Sequence, residues 1–311
     1  MSLRVGVAGA GAMGRNHARV FSLLDGCELV AVYDQDMERA EQVAAEFGGK
    51  AVDSLDAFAA EVDAATVAVP TVAHRNVGCT LMEQGVHVLM EKPIADSLDD
   101  ARALIETSKR CDRILQVGHI ERFNPVMREL EDKLKEPRFI EAHRLSPFPN
   151  RSIDIGVVLD LMIHDLEIIL HLVRSPVVSV DAVGVPVMTP REDIANARIR
   201  FENGCVANVT SSRISPERMR KIRVFQGDCY LSLDYQEQSA GMYRMGAGGI
   251  EKVEVNIEKD EPLKLELASF IESVNLGATP EVSGQQGADA LALALEITNQ
   301  IMHSPSPELS I

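Results

Sequence analysis

From residue 3 to about residue 117, short apolar runs alternate with longer stretches in which apolar positions recur at helical spacing. This alternation is the signature of βαβ units feeding a parallel sheet. Strands are predicted at residues 4–8, 28–33, 51–52, 65–69, 87–90 and 114–117, with helices between them, and six such strands suit a doubly wound sheet. Two helix starts are legible. Ser97 with Asp100 three residues later forms a capping box, and Asn124 before Pro125 supplies an N-cap oxygen ahead of a residue that needs no N–H, predicting a helix to about residue 134.

Beyond Phe139 the pattern changes to one apolar helix at about 158–173, followed by consecutive β-like segments from 177 to about 255. Consecutive strands imply an antiparallel sheet. Helical stretches at about 263–276 and 287–303 follow, before a polar tail with Pro305 and Pro307 that is expected to fray. A chain of 311 residues exceeds what one core usually serves, and the change of pattern places a boundary near residue 120. Residues 1–120 form one expected domain and 121–311 a second.

Composition narrows the function classes. Hydrophobic residues make up 46% and charged residues 25%, the balance of a globular protein, while a net charge of −16 disfavours a nucleic-acid partner. No run approaches the ~18 apolar residues of a membrane span, and the chain enters its first strand pattern at once, so no membrane partner and a cytoplasmic location are expected. Cys27, Cys79, Cys111, Cys205 and Cys229 are scattered and never spaced as CxxC, which reads as reduced packing residues.

Candidate chemistry begins at Gly9-Ala10-Gly11-Ala12-Met13-Gly14. The GxGxxG spacing is weak alone, but it follows a strand, opens a helix, and precedes a second strand ending at Asp34, twenty residues after Gly14. Gly9 permits the tight turn, Gly11 lets backbone approach a pyrophosphate, and Gly14 allows close packing of helix on strand. Asp34 should accept hydrogen bonds from a ribose and repel a 2′-phosphate. Neither Gln35 nor Asp36 offers a compensating positive charge, although Arg39 lies close in sequence, so NAD rather than NADP is the expected cofactor.

At Glu91-Lys92-Pro93, after the fifth strand, the chain resembles the glucose-fructose oxidoreductase, inositol dehydrogenase and rhizopine catabolism (Gfo/Idh/MocA) family. His17, His74 after Pro70, Gly85-Val86-His87-Val88, and Asp160 four residues before His164 carry the same resemblance. It implies a Rossmann domain joined to an α/β domain with an open, mostly antiparallel sheet, a homodimer or homotetramer, and a metal-free reaction with Lys92, Asp160 and His164 at the nicotinamide. It further implies that Pro70, Thr71, His74, Glu91 and Lys92 join Gly9, Gly11, Ala12, Met13, Gly14, Asp34 and Arg39 in holding the cofactor. Met162 departs from the small residue common at that position. The segments 118–125, 159–165 and 192–198 resemble a branch of the family, the bacterial UDP-N-acetylglucosamine 3-dehydrogenases of lipid A-type sugar synthesis, where Met162 is expected.

The residues themselves support such chemistry. At about 100° per residue, Asp160, His164, Glu167 and His171 share one arc of an otherwise apolar helix. A secondary alcohol needs a base for its hydroxyl proton while hydride leaves carbon, and histidine suits that role. His164 is the candidate base, Asp160 would orient the hydroxyl or the imidazole, and Lys92 would hold the hydroxyl and stabilise developing charge; a desolvated Lys92 could equally be the base. Glu167 and His171 read as structural. For metal catalysis a third ligand is missing, since the spacing of His119 and His143 is not diagnostic. A diphosphate would want arginine forks, for which Arg122, Arg144, Arg151 and Arg213 are available. Arg122, beside Asn124, is the best of these, and with Lys92, Asp160 and His164 the two complete the substrate-binding candidates. Competing readings are an inositol or free-sugar dehydrogenase, a non-catalytic NAD(H) sensor, and a structural subunit.

Overall fold

The structure, a computed structural model, describes residues 2–131, 133–148 and 155–303. Its first half runs β1 (Leu3–Ala8), α1 (Ala12–Phe21), β2 (Cys27–Tyr33), α2 (Met37–Phe47), β3 (Lys50–Val52), α3 (Leu55–Glu61), β4 (Ala64–Val67), α4 (His74–Glu83), β5 (His87–Glu91), α5 (Leu98–Cys111) and β6 (Leu115–Gly118). All six strands are parallel in the order β3-β2-β1-β4-β5-β6. This is the doubly wound arrangement, whose order reverses between β1 and β4, and ligands bind such sheets outside the strand carboxyl ends at that switch. Ser97 caps α5 as its spacing predicts, accepting the Asp100 N–H at 3.1 Å.

The second half continues with α6 (Pro125–Glu131), β7 (Phe139–Leu145), α7 (Ile163–Val173), β8 (Val177–Val185), β9 (Ile194–Phe201), β10 (Val206–Ser212), β11 (Met219–Phe225), β12 (Cys229–Asp234), β13 (Ser239–Gly246), β14 (Gly249–Val255), α8 (Pro262–Leu276) and α9 (Gly284–His303). An eight-stranded sheet of order β14-β13-β12-β11-β7-β10-β9-β8 results, antiparallel except where β7 lies parallel to β10. Pattern reading overlooks β7, although its residues alternate between half-buried and buried as period-two packing demands. Only pairing with β10 and β11 distinguishes that run from a loop. Helix α6 also stops short of the expected residue 134.

The chain divides into two compact units. One gathers Met1–Phe123 and Asp260–Asp289, the other Asn124–Lys259 and Ala290–Ile311, so far as these are described. The chain first changes unit at Phe123 to Asn124, close to the expected boundary at residue 120, but it returns to its first unit at Asp260–Asp289, a stretch that the expected second domain 121–311 includes. The reason is apolar complementarity: Leu263, Leu267, Phe270 and Ile271 of α8 join Val5, Val7, Ala18, Phe21 and Leu89 in one core. Past α8, the Val117 N–H donates to the Val282 carbonyl at 2.9 Å, and Ser283 bridges Gln116, so the returning segment lines the β6 edge. In the second unit the inward residues of the sheet, among them Ile140, Ile199 and Val224, pack with Val158, Met162, Leu166 and Ile169 and with Leu293 and Ile297 of α9.

Candidate functional site

In the first unit the glycine turn follows β1. Gly9 has φ of 101°, in the left-handed region, and a Cβ there would lie 2.6 Å from the Ala68 carbonyl. A Cβ on Gly14 would fall 1.7 Å from the Gly9 oxygen, so the turn closes only with glycine at both positions. Gly11 differs, since nothing stands within 4 Å of its Cβ position. That openness is a cradle a side chain would fill, and as N-cap of α1 Gly11 offers no side-chain oxygen to the first-turn N–H groups of exposed Ala12 and Met13. Such a helix start suits a phosphate oxygen. The residues present thus fit a dinucleotide.

Asp34, at the end of β2, does more than the sequence shows. Its Oδ2 accepts the Ala10 N–H at 2.6 Å and its Oδ1 the Asp36 N–H at 2.9 Å, so the carboxylate also ties the glycine turn to the next strand. Each oxygen keeps capacity for a second donor. Arg39 is exposed on α2 with its Nε 3.0 Å from Asp36 Oδ2, where it neutralises that helix cap. Pro70 and Thr71 open the short turn after β4, closed by an Ala73 N–H to Pro70 carbonyl bond of 2.8 Å. His74 is buried, with Nε2 3.0 Å from the Val69 oxygen and Nδ1 3.0 Å from that of Pro93, and so links this turn to the Lys92-Pro93 corner. Burial pushes its ring below the ordinary histidine range against the pull of those carbonyls.

Lys92 stands half-buried just past β5 and donates its backbone N–H to Glu91 Oε2 at 3.2 Å. The other Glu91 oxygen lies 3.0 Å from Nε2 of His17, a side chain on α1 with no solvent exposure. Burial raises the Glu91 carboxyl, but His17 and the Lys92 charge outweigh it and hold the group below the usual range. Gly118 makes room for this pair, because a Cβ there would crowd Glu91 at 3.3 Å. Next in sequence, buried His119 is pushed down to about 3, chiefly by burial and then by the Lys92 charge. Arg122 is buried in the turn Ile120–Phe123 and belongs to this first unit rather than to the second domain expected from pattern.

In the second unit Asp160 and His164 are both half-buried. The segment Val158–Met162 is a π-helical turn and α7 begins only at Ile163, so the uniform 100° spacing does not extend back to Asp160. Such wide turns recur at functional positions. Met162 is a fully buried core residue. His171 pairs with Glu131 at 2.7 Å. Asn124 caps α6 through its Oδ1, accepting the Val126 N–H at 3.3 Å, while its Nδ2 donates to the Tyr235 carbonyl at 3.1 Å. Two of the candidate arginines are held by the fold: Arg144 grips Asp165 at 2.8 and 3.1 Å, and Arg213 grips Asp193 at 2.8 Å with neither side chain exposed. Arg151 lies outside the described residues. Among the described residues no group of three or more His, Cys, Asp or Glu side chains could hold a metal ion, and no helix is long and apolar enough to cross a membrane.

Sequence reasoning missed Glu266. It is fully buried in α8 and stands within the electrostatic reach of Glu91. Its one signal is an acid on the inward face of an apolar helix.

A doubly wound sheet with a dinucleotide cradle at its switch defines a dinucleotide-binding protein, and comparison with known proteins makes it an oxidoreductase. Residues 3–119 match the model of the oxidoreductase family with an NAD-binding Rossmann fold, and residues 131–228 match the GFO/IDH/MocA C-terminal domain. The chain belongs to the Gfo/Idh/MocA oxidoreductase family, and its cofactor is NAD. It is 38% identical to the UDP-N-acetylglucosamine 3-dehydrogenase of Acidithiobacillus ferrooxidans over 95% of this chain and 96% of that protein. A solved structure of that dehydrogenase superposes with a TM-score of 0.94 at 37% identity, covering 97% of this chain and 98% of the other. The myo-inositol 2-dehydrogenase of Thermotoga maritima is 26% identical over 99% and 98% of the two chains.

Proposed function

We propose that this enzyme oxidises the 3-hydroxyl of UDP-N-acetylglucosamine to a ketone. The observation that carries the reading is the 38% identity, over nearly the whole of both chains, to a dehydrogenase of that name. NAD, when bound, supplies the hydride acceptor. The glycine turn, the first-turn amides of α1 and Asp34 would hold it, with Pro70, Thr71, His74 and Glu91 shaping the adjoining loops. His164 takes the hydroxyl proton, Asp160 orients the hydroxyl or the imidazole, and Lys92 holds the hydroxyl and offsets negative charge developing on its oxygen. The alternative base is Lys92 itself. Arg122 and Asn124 are the substrate-binding candidates beside these three, and of the two the arginine suits the diphosphate.

Absorbance of NADH on mixing purified protein, NAD and UDP-N-acetylglucosamine tests this directly. Reduction with the nucleotide sugar and none with myo-inositol supports it. Turnover of myo-inositol with the nucleotide sugar inert would overturn the substrate and leave the family standing.

A further inference from the structure

Within electrostatic reach of Glu91 lies a second carboxyl group, Glu266 of α8, for which the proposed reaction has no use. Glu266 has no solvent exposure, and neither of its oxygens meets a hydrogen-bond donor. Gln116 of β6, equally buried, donates its side-chain N–H to the Glu266 backbone carbonyl at 3.4 Å, while its own Oε1 also lacks a donor. Both Glu266 carboxyl oxygens are thus buried with no donor directed at them. An ionised Glu266 there would be a buried anion without compensation, close to the anion of Glu91. A proton on Glu266 removes the charge, and a neutral carboxyl costs far less to bury than a carboxylate.

The two carboxyls differ in their surroundings. Glu91 has His17 Nε2 at 3.0 Å on one oxygen and the Lys92 N–H at 3.2 Å on the other, both of which favour its ionised form. Glu266 has neither. The other ionisable groups around it are Arg15, His17 and Arg19 of α1 and Glu121 and Arg122 of the turn Ile120–Phe123, both of which pack against α8, together with Glu91, Lys92 and buried His119, which act on one another electrostatically. Of these Arg15 and Arg19 are engaged at the surface by Glu46 and Glu261. The Glu91 charge acts on Glu266 in the same direction as burial, and together they raise it well above the ordinary range.

We propose that Glu91 and Glu266 share one negative charge at neutral pH, with Glu266 holding the proton and Glu91 carrying the charge beside Lys92. Glu266 is then a positioning residue: by staying neutral it limits the anionic charge that Lys92 feels, and hence how tightly Lys92 keeps its proton. The consequence for Lys92 rests on the role proposed for that residue, whereas the distribution of charge does not.

Infrared difference spectra of wild type against Glu266→Gln at pH 7, without substrate, should show a protonated carboxylic acid band in wild type that the variant lacks. Thermal melts of both proteins from pH 4.5 to 8 give a second reading. A native state that binds the proton more tightly than the unfolded chain loses stability as pH rises, so the melting temperature of the variant should gain on wild type across that range. Glu91→Gln removes one cause of the proton's retention, so the acid band should titrate away at lower pH than in wild type. Should Glu266→Gln not fold, carbon-13 glutamate labelling of wild type reads the same state, as one carboxyl resonance still in its acid position at pH 7. Only carboxylate bands in the difference spectrum, with a level gap in melting temperature, would overturn the inference. A failure of NADH formation would instead count against the proposed reaction, because neither measurement on Glu266 needs turnover.

Discussion

At the scale of single residues, the proposed reaction draws on groups whose roles show in their type and on groups whose roles depend on company. Lys92 and His164 are of the first kind, and removing a positioned proton-transfer group costs typically ~10²–10⁴ in rate. Lys92→Met and His164→Asn should each lower kcat by at least about 10²-fold while NAD still binds, as a fluorescence titration against a turnover assay would show. Asp34 is of the second kind, because its oxygens also anchor Ala10 and Asp36. Charged hydrogen bonds are worth about 1.5–3 kcal/mol each, so Asp34→Ala should weaken NAD binding by about 10–100-fold in the same titration. His119 bears on pH. Its folded value of about 3 lies below the ordinary 6.5, so the stability it contributes is present above 6.5 and drains away as pH falls toward 3. His119→Gln should flatten that part of a series of urea midpoints measured at successive pH values.

At the scale of elements, the connection between β8 and β9 shows a buried ion pair organising backbone. Asp193 accepts N–H groups of Val187, Met188 and Thr189 at 2.9, 2.6 and 2.9 Å, while Arg213 reaches Asp193, the Ile155 carbonyl and the Thr189 hydroxyl. Those amide bonds and Arg213 outweigh burial and hold the Asp193 carboxyl far below its ordinary range. Breaking one side of such a pair strands a buried charge, at a cost of about 3–5 kcal/mol. Arg213→Met should therefore lower the melting temperature by several degrees in calorimetry, and a loss no larger than at an exposed arginine would refute the structural role given to it here. The π-helical turn before α7 makes a related point: helical periodicity places Asp160 and His164 on one element, but local winding sets the angle between them.

At the scale of the whole molecule, the chain's return governs the first unit. Residues 2–123 expressed alone would leave the apolar faces that meet Leu263, Leu267 and Phe270 open to water. That fragment should aggregate or show little tertiary structure by near-ultraviolet circular dichroism, and joining residues 260–289 to it through a flexible linker should restore a cooperative melt. A fragment 2–123 that folds cooperatively unaided would contradict the discontinuous unit. Much of this architecture is legible from one dimension. All six parallel strands, the caps at Ser97 and Asn124, the glycine turn with Asp34, and helices α7, α8 and α9 follow from periodicity and short motifs, because those signals reside in residues within a turn or a pleat of each other. Strand β7 escaped, since a seven-residue run acquires meaning only from the two strands beside it. So did the allegiance of α8, the commitment of Arg144 and Arg213 to buried carboxylates, and the acid at Glu266. Each of these is decided by a partner distant in sequence, and burial, charge pairing and proton affinity are properties of what surrounds a group in space. The sequence by itself determined which elements form and which chemistry they can carry; only the tertiary structure decided which polar groups are spent on holding the fold, because desolvation acts on neighbours that folding alone brings together.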